Sequence, residues 1–461
     1  MITFTTSLEN IGEYPSLRLD EGARYFFDTL EGKVWLNSSV ELREVISKVS
    51  SGKLAKGLLD DEENLVDLSN IIRRLNIVES TPVWEIGSDK VIISSGDIVI
   101  PKIQPKNGNI FTNTEHIRYI GSSELVEYKC DETKILPKFL FYLITSGDFS
   151  KSLEYLEGGK THPRVNPDEL LRYRIPNLPI NKQKQFLFEI KETEDEIISL
   201  RSSMLSITDI INSTLISLFD FDFDAFSQIR SHNNYICDFS DFANNFDLRN
   251  SPKFHRPSGR YMTNFLKTKT PFRVKDFLSE PIVLGASVSP SDFSPDGEVY
   301  YISMASIKNF VIETDDTQLL SSEYANIPKN SKKSLCKNDI VMSRSGAAIG
   351  KFALVDSEIS AIFADFTMRI RLKEVNHLFA YYFFRSIFTQ YLIEIHKKGL
   401  QNQNIFPIQI QDFPFPDLSI EIQNNIVEQI KTKIAKQDLI IKEISRLRNS
   451  IDKTLLNYIS I

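Results

Sequence analysis

Two features of the sequence suggest a chemical function, and neither has the residues that the chemistry needs. The segment Ser345-Gly-Ala-Ala-Ile-Gly-Lys-Phe352 is similar to a phosphate-binding loop. However, Gly346 and Gly350 are one residue too close together, and Phe352 stands where the Ser or Thr that holds Mg²⁺ is required. The histidines show neither the HExxH nor the HxH spacing, and successive cysteines are more than 90 residues apart. We therefore expect no metal site and no bound cofactor.

The sequence also lacks the motif that DNA methylation would need. An adenine methyltransferase holds its flipped base with an Asn/Asp-Pro-Pro-aromatic loop. The nearest segments, Ile175-Pro-Asn-Leu-Pro179 and Phe413-Pro-Phe-Pro416, do not match it and are typical of helix-entry prolines. Acidic pairs such as Asp60-Asp61 lie in polar turns, which favours a solvated surface. We therefore predict no catalytic residues and conclude that the chain is not itself an enzyme.

Length and composition place the chain among ordinary globular proteins. It has 461 residues, of which 41% are hydrophobic and 25% charged, and this length is enough for two to four domains. The N-terminus has no signal-like stretch. The longest apolar run, 378–388, has about 11 residues and includes Arg385, so it is too short to span a bilayer. We expect a cytoplasmic protein without a membrane anchor.

The chain contains an internal repeat. The segment Pro176-Asn-Leu-Pro-Ile-Asn-Lys-Gln183 returns 240 residues later as Pro416-Asp-Leu-Ser-Ile-Glu-Ile-Gln423, and Gly159 has a counterpart at the same separation. Further upstream the separation drifts slightly, to 242 for the segment 96–99. Because five separated segments keep nearly one register, the sequence predicts that the chain is a duplication with two copies of one domain.

Each copy ends in a stretch of nearly forty residues without Pro or Gly, in which apolar residues follow a heptad spacing. The seam residues are Ile190, Ile197, Met204 and Ile211 in the first stretch and Ile430, Ile440, Ile444, Leu447 and Ile451 in the second. The spacing predicts two long helices that pair as a coiled coil, with ordinary bundle packing as the alternative. A domain lies between the helices, so the pair is expected to be antiparallel.

The order of motifs in the two copies resembles the specificity subunit of type I restriction-modification systems, over essentially the whole chain. The motifs are Leu17-Arg-Leu-Asp20 and Asp247-Leu-Arg249, Asp67-Leu-Ser-Asn-Ile71 and Tyr301-Ile-Ser-Met304, and in the second copy Asn338-Asp-Ile-Val-Met-Ser-Arg-Ser-Gly346 and Gly399-Leu-Gln-Asn-Gln-Asn404. The first copy departs from the pattern at 102–106 and 159–162. The resemblance implies a subunit that reads a bipartite double-stranded DNA target. It also implies two adenine-N6 methyltransferase subunits and ATP-dependent restriction subunits as partners.

With the duplication, the resemblance implies an α+β chain in which two tandem target-recognition domains are joined by an antiparallel two-helix coiled-coil spacer, with pseudo-two-fold symmetry. The expected boundaries are 1–179 for the first recognition domain, 180–218 for the first spacer helix, 219–419 for a linker and the second recognition domain, and 420–461 for the second spacer helix. Two recognition domains held at a fixed spacing would bind two half-sites that lie at a fixed distance and rotation from each other along the DNA helix.

Positive charge is concentrated in the second copy, although the net charge of the whole chain is −7. Eight Lys or Arg residues and no Asp or Glu lie in 249–275, and six lie in 326–355 against Asp339 alone. A solvated surface would explain such runs, but long runs of one sign in an acidic protein favour contact with DNA phosphates.

Arg suits guanine, and Asn or Gln suits adenine, because each side chain can make two hydrogen bonds to one base edge. We therefore expect base reading at Arg344 and at the loop Gln401-Asn-Gln403, with phosphate binding and turn capping as the alternative. The residues predicted to bind DNA are Lys102, Lys106, Lys160, Thr161, His162 and Arg164 in the first copy and Lys253, Arg256, Arg260, Lys332, Lys333, Arg344, Ser345, Lys351, Gln401, Asn402 and Gln403 in the second.

Two other functions remain open. The chain could be the target-recognition subunit of another anti-phage DNA modification system, or a coiled-coil adaptor with two protein-binding heads. DNA binding that weakens steeply with salt would exclude the adaptor, because a protein that does not neutralise DNA phosphates releases no counterions from the DNA.

Overall fold

The computed structural model describes residues 39–159, 163–232, 234–240, 251–315, 317–399 and 403–459, and these residues form two compact units. Unit 1 contains the described residues up to Ser203 together with those from Ile440 onwards, and unit 2 is Met204–Leu439. The boundaries between units therefore fall inside the two predicted spacer stretches rather than at their ends. Each unit combines one predicted recognition domain with parts of both stretches.

The strands of unit 1 are β1 (Ser39–Glu41), β2 (Ile46–Lys48), β3 (Lys53–Leu54), β4 (Gly57–Val66), β5 (Ile71–Ile72), β6 (Ile77–Val78), β7 (Thr81–Ile86), β8 (Lys90–Ile93), β9 (Ile98–Pro101), β10 (Phe111–Thr112), β11 (Tyr119–Gly121), β12 (Leu125–Cys130), β13 (Glu157–Gly158), β14 (Arg164–Val165) and β15 (Arg174–Pro176). Those of unit 2 are β16 (Val283–Leu284), β17 (Val299–Ile302), β18 (Ile307–Lys308), β19 (Val311–Ile312), β20 (Leu319–Leu320), β21 (Ile340–Ser343), β22 (Phe352–Leu354), β23 (Ala361–Phe363) and β24 (Thr367–Ile370).

The α-helices are α1 (Pro137–Thr145), α2 (Gly147–Ser152), α3 (Pro167–Leu170), α4 (Ile180–Glu189), α5 (Lys191–Ser202), α6 (Ile207–Phe219), α7 (Phe223–Ser231), α8 (Pro257–Lys269), α9 (Ser322–Asn326), α10 (Pro328–Ser331), α11 (His377–Arg385), α12 (Ile387–His396), α13 (Pro407–Gln411) and α14 (Ile420–Ile459). Short 3₁₀ turns join several of them. The chain is thus a mixture of helix and strand, as predicted.

Unit 1 is built on two sheets, with strand orders β3-β8-β11-β4-β7 and β10-β9-β12-β2. The second sheet is antiparallel throughout, and all four residues of its strand β9 are buried. Val66 and Ile93 from the first sheet pack with Val99 and Leu125 from the second in one apolar cluster. The core of unit 1 therefore includes apolar side chains from both sheets.

Unit 2 repeats this plan with fewer strands. Its sheets have the orders β16-β24-β21-β22 and β20-β17-β23. Strand β21 is buried along its whole length, and β17 pairs in parallel with β23 as β4 does with β11 in unit 1. Ile302, Val341 and Phe363 again join the two sheets in one apolar cluster.

Each unit also contains a pair of short helices that are separated at a serine. Ser146 lies between α1 and α2, and Ser386 between α11 and α12. Both residues have extended backbone, and both hydroxyls donate to the carbonyl three residues earlier, at 2.8 Å for Ser146 and 2.6 Å for Ser386. The hydroxyl satisfies a carbonyl in the last turn of the first helix and so stabilises the break.

The second stretch without Pro or Gly forms one helix, as the heptad spacing predicts. Helix α14 has 40 residues, Ile420–Ile459. Four of its five predicted seam residues, Ile430, Ile444, Leu447 and Ile451, are buried, and the fifth, Ile440, is half-buried. Its first half belongs to unit 2 and its second half to unit 1.

The first stretch does not form the single helix predicted for 180–218. It is divided into α4, α5 and α6, with a four-residue break at 203–206. Before the break, the hydroxyls of Ser202 and Ser203 donate to carbonyls of the preceding turn. After it, Ser206 and Asp209 form a capping box that begins α6. Serine side chains compete with the helical backbone in this way, and the heptad pattern does not reveal it.

The break changes the role of one predicted seam residue. Met204 lies in it and is half-buried, whereas Ile190, Ile197 and Ile211 are buried. The backbone N–H of Leu205, which the break leaves without a helical partner, donates to the Gln437 side chain at 3.0 Å. The pairing of the two stretches as a coiled coil stays a prediction.

Candidate nucleic-acid interface

A buried aspartate precedes the central strand of each unit. Asp97 lies before β9 and Asp339 before β21, and each side chain is almost fully buried. Asp339 accepts hydrogen bonds from Arg371 at 2.6 and 2.7 Å, and Asp97 accepts one from Lys129 at 2.6 Å. The hydrogen bond to Asp339 raises the pKa of the Arg371 guanidinium, which keeps Arg371 positively charged. These contacts fix the beginning of each strand.

The end of β21 meets a segment that returns from α12. The carbonyl of Arg344 accepts from Ile405 N at 3.0 Å, and Gly346 N donates to the carbonyl of Gln403 at 3.1 Å. Between them, the side chains of Ser345 and Asn404 are hydrogen-bonded. We call residues 344–346 and 403–405 loop pair 2. The structure therefore joins the two segments that the sequence analysis proposed for base reading.

The end of β9 meets a returning segment in the same register. The carbonyl of Lys102 accepts from Val165 N at 2.7 Å, and Gln104 N donates to the carbonyl of Pro163 at 3.3 Å. Ile103 and Arg164 form the bridge between these bonds. We call residues 102–104 and 163–165 loop pair 1. Each hydrogen bond has its counterpart in loop pair 2.

Both loop pairs need a left-handed residue at one position. Gly346 has φ +64°, and an added Cβ would have open space. Gln104 has φ +43° at the matching position of loop pair 1. The departure of the first copy from the Ser/Gly pattern therefore changes the residue but keeps the backbone conformation, at the cost that a non-glycine residue has there.

Two cationic side chains in or just after loop pair 1 have carboxylate partners. Arg164 forms an ion pair with Glu124 at 3.1 Å, and Lys106, just after the loop, forms one with Glu154 at 2.8 Å. The hydrogen bond from Arg164 lowers the pKa of Glu124, and the hydrogen bond to Glu154 raises the pKa of Lys106. Glu124 thus stays ionised and Lys106 stays protonated near neutral pH, and each cation lies beside a carboxylate.

Glu124 and Glu154 are partners that the sequence analysis missed. Strand β12 pairs with β9 so that Leu125 lies opposite Pro101. The same register brings Glu124 beside Lys102, whose backbone N–H donates to the Glu124 carbonyl at 2.8 Å. That register depends on which strands become neighbours, so no local pattern around Glu124 indicates it.

Loop pair 2 is different in charge. Arg344 donates from Nε to the Asp365 carbonyl at 3.0 Å, and its backbone N–H donates to Phe366 at 3.0 Å. Within the described part of the chain, no carboxylate lies within ion-pair distance of Arg344. Lys351, beyond the loop, and Lys332 are exposed. Arg344 is therefore held at a fixed place with its charge uncompensated by these residues.

Other predicted residues have local partners. Lys333 is half-buried, and its ammonium donates to the Leu284 carbonyl. Desolvation lowers the pKa of Lys333, and this burial argues against the phosphate contact predicted for it. Lys253 pairs with Glu394 at 3.3 Å. Arg256 is the residue before α8, and Arg260 is exposed on it.

Five predicted contact residues lie outside the described residues. They are Lys160, Thr161 and His162 in the first copy and Gln401 and Asn402 in the second. Gln403 is described and half-buried, and its carbonyl belongs to loop pair 2. The domain-entry motifs at 17–20 and 247–249 also lie outside the described residues.

The described ranges contain neither a cluster of metal ligands nor a single membrane-spanning helix. No group of three or more His, Cys, Asp or Glu residues there could hold a metal ion. No single helix there is long and apolar enough to cross a membrane, although α5 and α6 pass that test together by length and composition alone.

Residues 267–449 match the family model of the type I restriction modification DNA specificity domain. This range contains β16–β24, loop pair 2 and the first part of α14. This part of the chain is therefore similar to DNA specificity domains of type I restriction-modification systems. A curated relative, the specificity subunit of the type I restriction enzyme HindI from Haemophilus influenzae, is 25% identical over 141 residues. The similarity covers 30% of this chain and 30% of the relative, so the chain spans about a third of that relative's length.

Solved structures of type I systems are also similar to this chain. A chain from a structure on complex assembly and conformational transition of a type I system has 16% identity and a TM-score of 0.43, with 91% of this chain and 97% of that chain covered. The HsdS subunit from Thermoanaerobacter tengcongensis has 15% identity and a TM-score of 0.31, with 90% and 95% covered. The S subunit from M. genitalium has 12% identity and a TM-score of 0.34, with 93% and 97% covered.

Proposed function

We propose that the chain is the DNA sequence-reading subunit of a type I restriction-modification complex and has no catalytic activity of its own. The observation that carries the proposal is loop pair 2, which lies inside the matched specificity domain and holds Arg344 at a strand end. The main chain of Arg344 is hydrogen-bonded on both sides, so its position varies little. A fixed guanidinium without a carboxylate partner suits recognition of an anionic or acceptor-rich partner such as guanine.

The proposed target is bipartite because the two units hold the same arrangement. Loop pairs 1 and 2 share their main-chain hydrogen bonds at separations of 240 and 242 residues. A buried glutamine recurs as well: Gln183 accepts from Leu136 N and donates to the Leu178 carbonyl, and Gln423 makes the same bonds with Asn376 and Leu418. All three of these positions repeat at 240 residues, which supports the internal duplication. Each unit is then proposed to read one half-site.

Within unit 2 we propose two kinds of contact. Arg344 and the adjoining Gln401-Asn-Gln403 segment read bases, since these side chains can make paired hydrogen bonds to guanine and adenine. Lys332, Lys351, Arg256 and Arg260 contribute positive charge toward phosphates. Lys333 is not included, because its ammonium is already bound to a carbonyl.

Unit 1 is proposed to bind its half-site with less net charge. Arg164 and Lys106 already pair with carboxylates, so a phosphate would have to compete with Glu124 and Glu154. Base contacts would then come from Lys102 and from Lys160, Thr161 and His162, which lie outside the described residues. We therefore expect unit 1 to contribute less to the salt dependence of binding than unit 2.

The remaining parts of the proposal concern assembly. The family match supports partner subunits that supply the chemistry: two adenine-N6 methyltransferase subunits and, in the full complex, ATP-dependent restriction subunits. The two stretches 180–218 and 420–461 are proposed to act as the spacer. The support for this is that α14 is continuous and contributes residues to both units.

Binding selection from a random DNA pool at two or more salt concentrations tests the function. We expect enrichment of two short sequences separated by an unread gap of constant length, and an affinity that falls steeply with salt. A protein adaptor would show no enrichment and no steep salt dependence. A modification system of another kind would enrich a sequence that is contiguous or has a variable gap.

A further inference from the structure

The second half of α14 is bound to unit 1 through a buried charged cluster. Arg448 is 3% exposed, and it donates to the Arg74 carbonyl at 2.8 Å and to the Thr145 hydroxyl at 2.9 Å. It also pairs with Asp452, one turn along the helix. Asp452 in turn pairs with the Arg74 guanidinium and accepts from Gly147 N at 3.3 Å. Every strong donor of Arg448 therefore has a partner in unit 1.

Helix α6 occupies the corresponding place in unit 2 with neutral residues. The positions 240 residues before Arg448 and Asp452 are Thr208 and Asn212. Asn212 accepts from Ile387 N at 2.7 Å, just as Asp452 accepts from Gly147 N. The two helix segments thus approach equivalent helix starts, and they differ in charge.

The surface that receives α6 carries a charge of its own, Arg385, whose Nε is buried without a hydrogen-bond partner among the described residues. Arg385 stands at the position of Thr145, and it donates to the Tyr381 hydroxyl at 2.9 Å. That hydroxyl donates to the Phe310 carbonyl at 2.5 Å, and the Arg385 guanidinium lies 4.2 Å from the centre of the Phe310 ring. The Phe310 carbonyl of unit 2 therefore takes its hydrogen bond from Tyr381. The Arg74 carbonyl of unit 1 takes its hydrogen bond from Arg448.

Exchanging the helix segments would remove a partner from a charged group in either direction. If the second half of α14 docked on unit 2, Arg448 would lose the Thr145 hydroxyl and meet Arg385 in its place. If α6 docked on unit 1, neither Thr208 nor Asn212 would supply a carboxylate to the Arg74 guanidinium. Unpaired buried charges are costly, because they lose hydration without gaining an interaction.

We propose that Arg448 and Asp452 are an address that directs the second half of α14 to unit 1 and excludes it from unit 2, whether of the same chain or of a second copy. Because the two copies of the duplication are alike in frame, a helix segment could otherwise dock on the wrong domain, or on a second molecule. This inference does not depend on DNA recognition.

Two double-mutant cycles in the full-length chain test the proposal through the melting temperature. In unit 1, Thr145→Arg places an arginine beside Arg448, as the exchange of helix segments would. Adding Arg448→Thr should relieve the repulsion between the two arginines. We expect Thr145→Arg to lower Tm by ~5 °C or more and the double variant to recover at least half of that loss. In unit 2, Thr208→Arg should likewise be destabilising, and Arg385→Thr should relieve it.

Matched controls separate the address from simple crowding. Thr145→Gln adds length without charge, so it should cost less than Thr145→Arg. Ser217→Asn copies the other helix at an exposed position and should leave Tm unchanged. The proposal is overturned if Arg448→Thr fails to rescue Thr145→Arg, or if Thr208→Arg is as harmless as Ser217→Asn.

Discussion

Units 1 and 2 share main-chain hydrogen bonds but differ in where their charged side chains have carboxylate partners. In unit 1 the cations beside the loop pair are neutralised by Glu124 and Glu154, while the contact with α14 is charged and buried. In unit 2 Arg344 has no described carboxylate partner, while the contact with α6 is neutral. The shared hydrogen bonds therefore do not fix the charge of either surface. The two units can differ in what they bind while they keep one fold.

The two units can differ in charge because the hydrogen bonds that they share involve backbone atoms. These atoms are the same whatever side chain a loop end carries. Both loop pairs are held by backbone N–H and C=O groups, and both buried glutamines bond to backbone atoms. The Lys102 side chain can then change without loss of one of these shared hydrogen bonds, and a change at Arg344 loses the bond from its Nε to the Asp365 carbonyl but keeps the main-chain bonds. This is the property expected of a scaffold that presents different readers on one frame.

The largest difference between the units should follow from removal of the buried aspartates. Asp339→Ala would leave Cys336 N without its acceptor and Arg371 with Glu280 as its remaining carboxylate partner, so we expect a loss of about 3 kcal/mol. Asp97→Ala also leaves a backbone N–H, that of Cys130, without its acceptor, but it should cost only about 1–2 kcal/mol, because the Lys129 side chain is half exposed and can be hydrated. Urea unfolding measures both. Equal losses would show that exposure of the cation does not matter here.

The buried glutamines provide the opposite case, in which the units should behave alike. Gln183→Met and Gln423→Met keep the volume but remove hydrogen bonds to a helix-start N–H and to a carbonyl. We expect each to cost about 2 kcal/mol, because buried backbone groups are left without partners. A large loss in one unit only would indicate that the shared hydrogen bonds do not support the two folds equally.

Substitutions at the residue with left-handed backbone should change the stability in opposite directions in the two loop pairs. Gly346→Ala should destabilise unit 2 by about 1 kcal/mol, since the strain comes from the backbone conformation and not from a clash. Gln104→Gly should leave unit 1 unchanged or stabilise it by up to about 1 kcal/mol. Thermal unfolding of the two variants, with Gly87→Ala as a glycine control at ordinary φ, measures the effect. Destabilisation by Gln104→Gly would contradict the shared conformation.

The smallest effect concerns the ion pair of loop pair 1. Hydrogen bonding to Arg164 lowers the pKa of Glu124, so the pair stabilises unit 1 above the ordinary glutamate pKa, and this stabilisation is lost as the pH falls through the lowered value. Glu124→Gln removes the carboxylate at neutral pH. We expect DNA affinity to rise roughly two- to fivefold and the salt slope to steepen by about one. Unchanged affinity and slope would mean that Arg164 does not face DNA.

The sequence analysis predicted features that depend on local or periodic patterns. It predicted α14 from its heptads and the absence of Pro and Gly, and it singled out 343–346 and 401–404, parts of which the structure brings together as loop pair 2. It missed the break at 203–206, because the serine hydrogen bonds that stop α5 leave the apolar spacing intact. Lys333 was also misjudged, since its burial depends on the chain crossing at Leu284. Contacts set by tertiary neighbours, such as Glu124 with Arg164, have no local signal.

The measurement that tests the central claim most directly compares Arg344→Ala with the wild-type chain in binding selection from random DNA. Lys332→Ala, which removes an exposed cation, is the control for a phosphate contact. We predict that Arg344→Ala relaxes the preference at one position of one half-site, at a cost of ~1–3 kcal/mol, and leaves the other half-site intact. Lys332→Ala should weaken all sequences alike and flatten the salt slope. If Arg344→Ala instead weakens binding uniformly over both half-sites, loop pair 2 does not read DNA sequence.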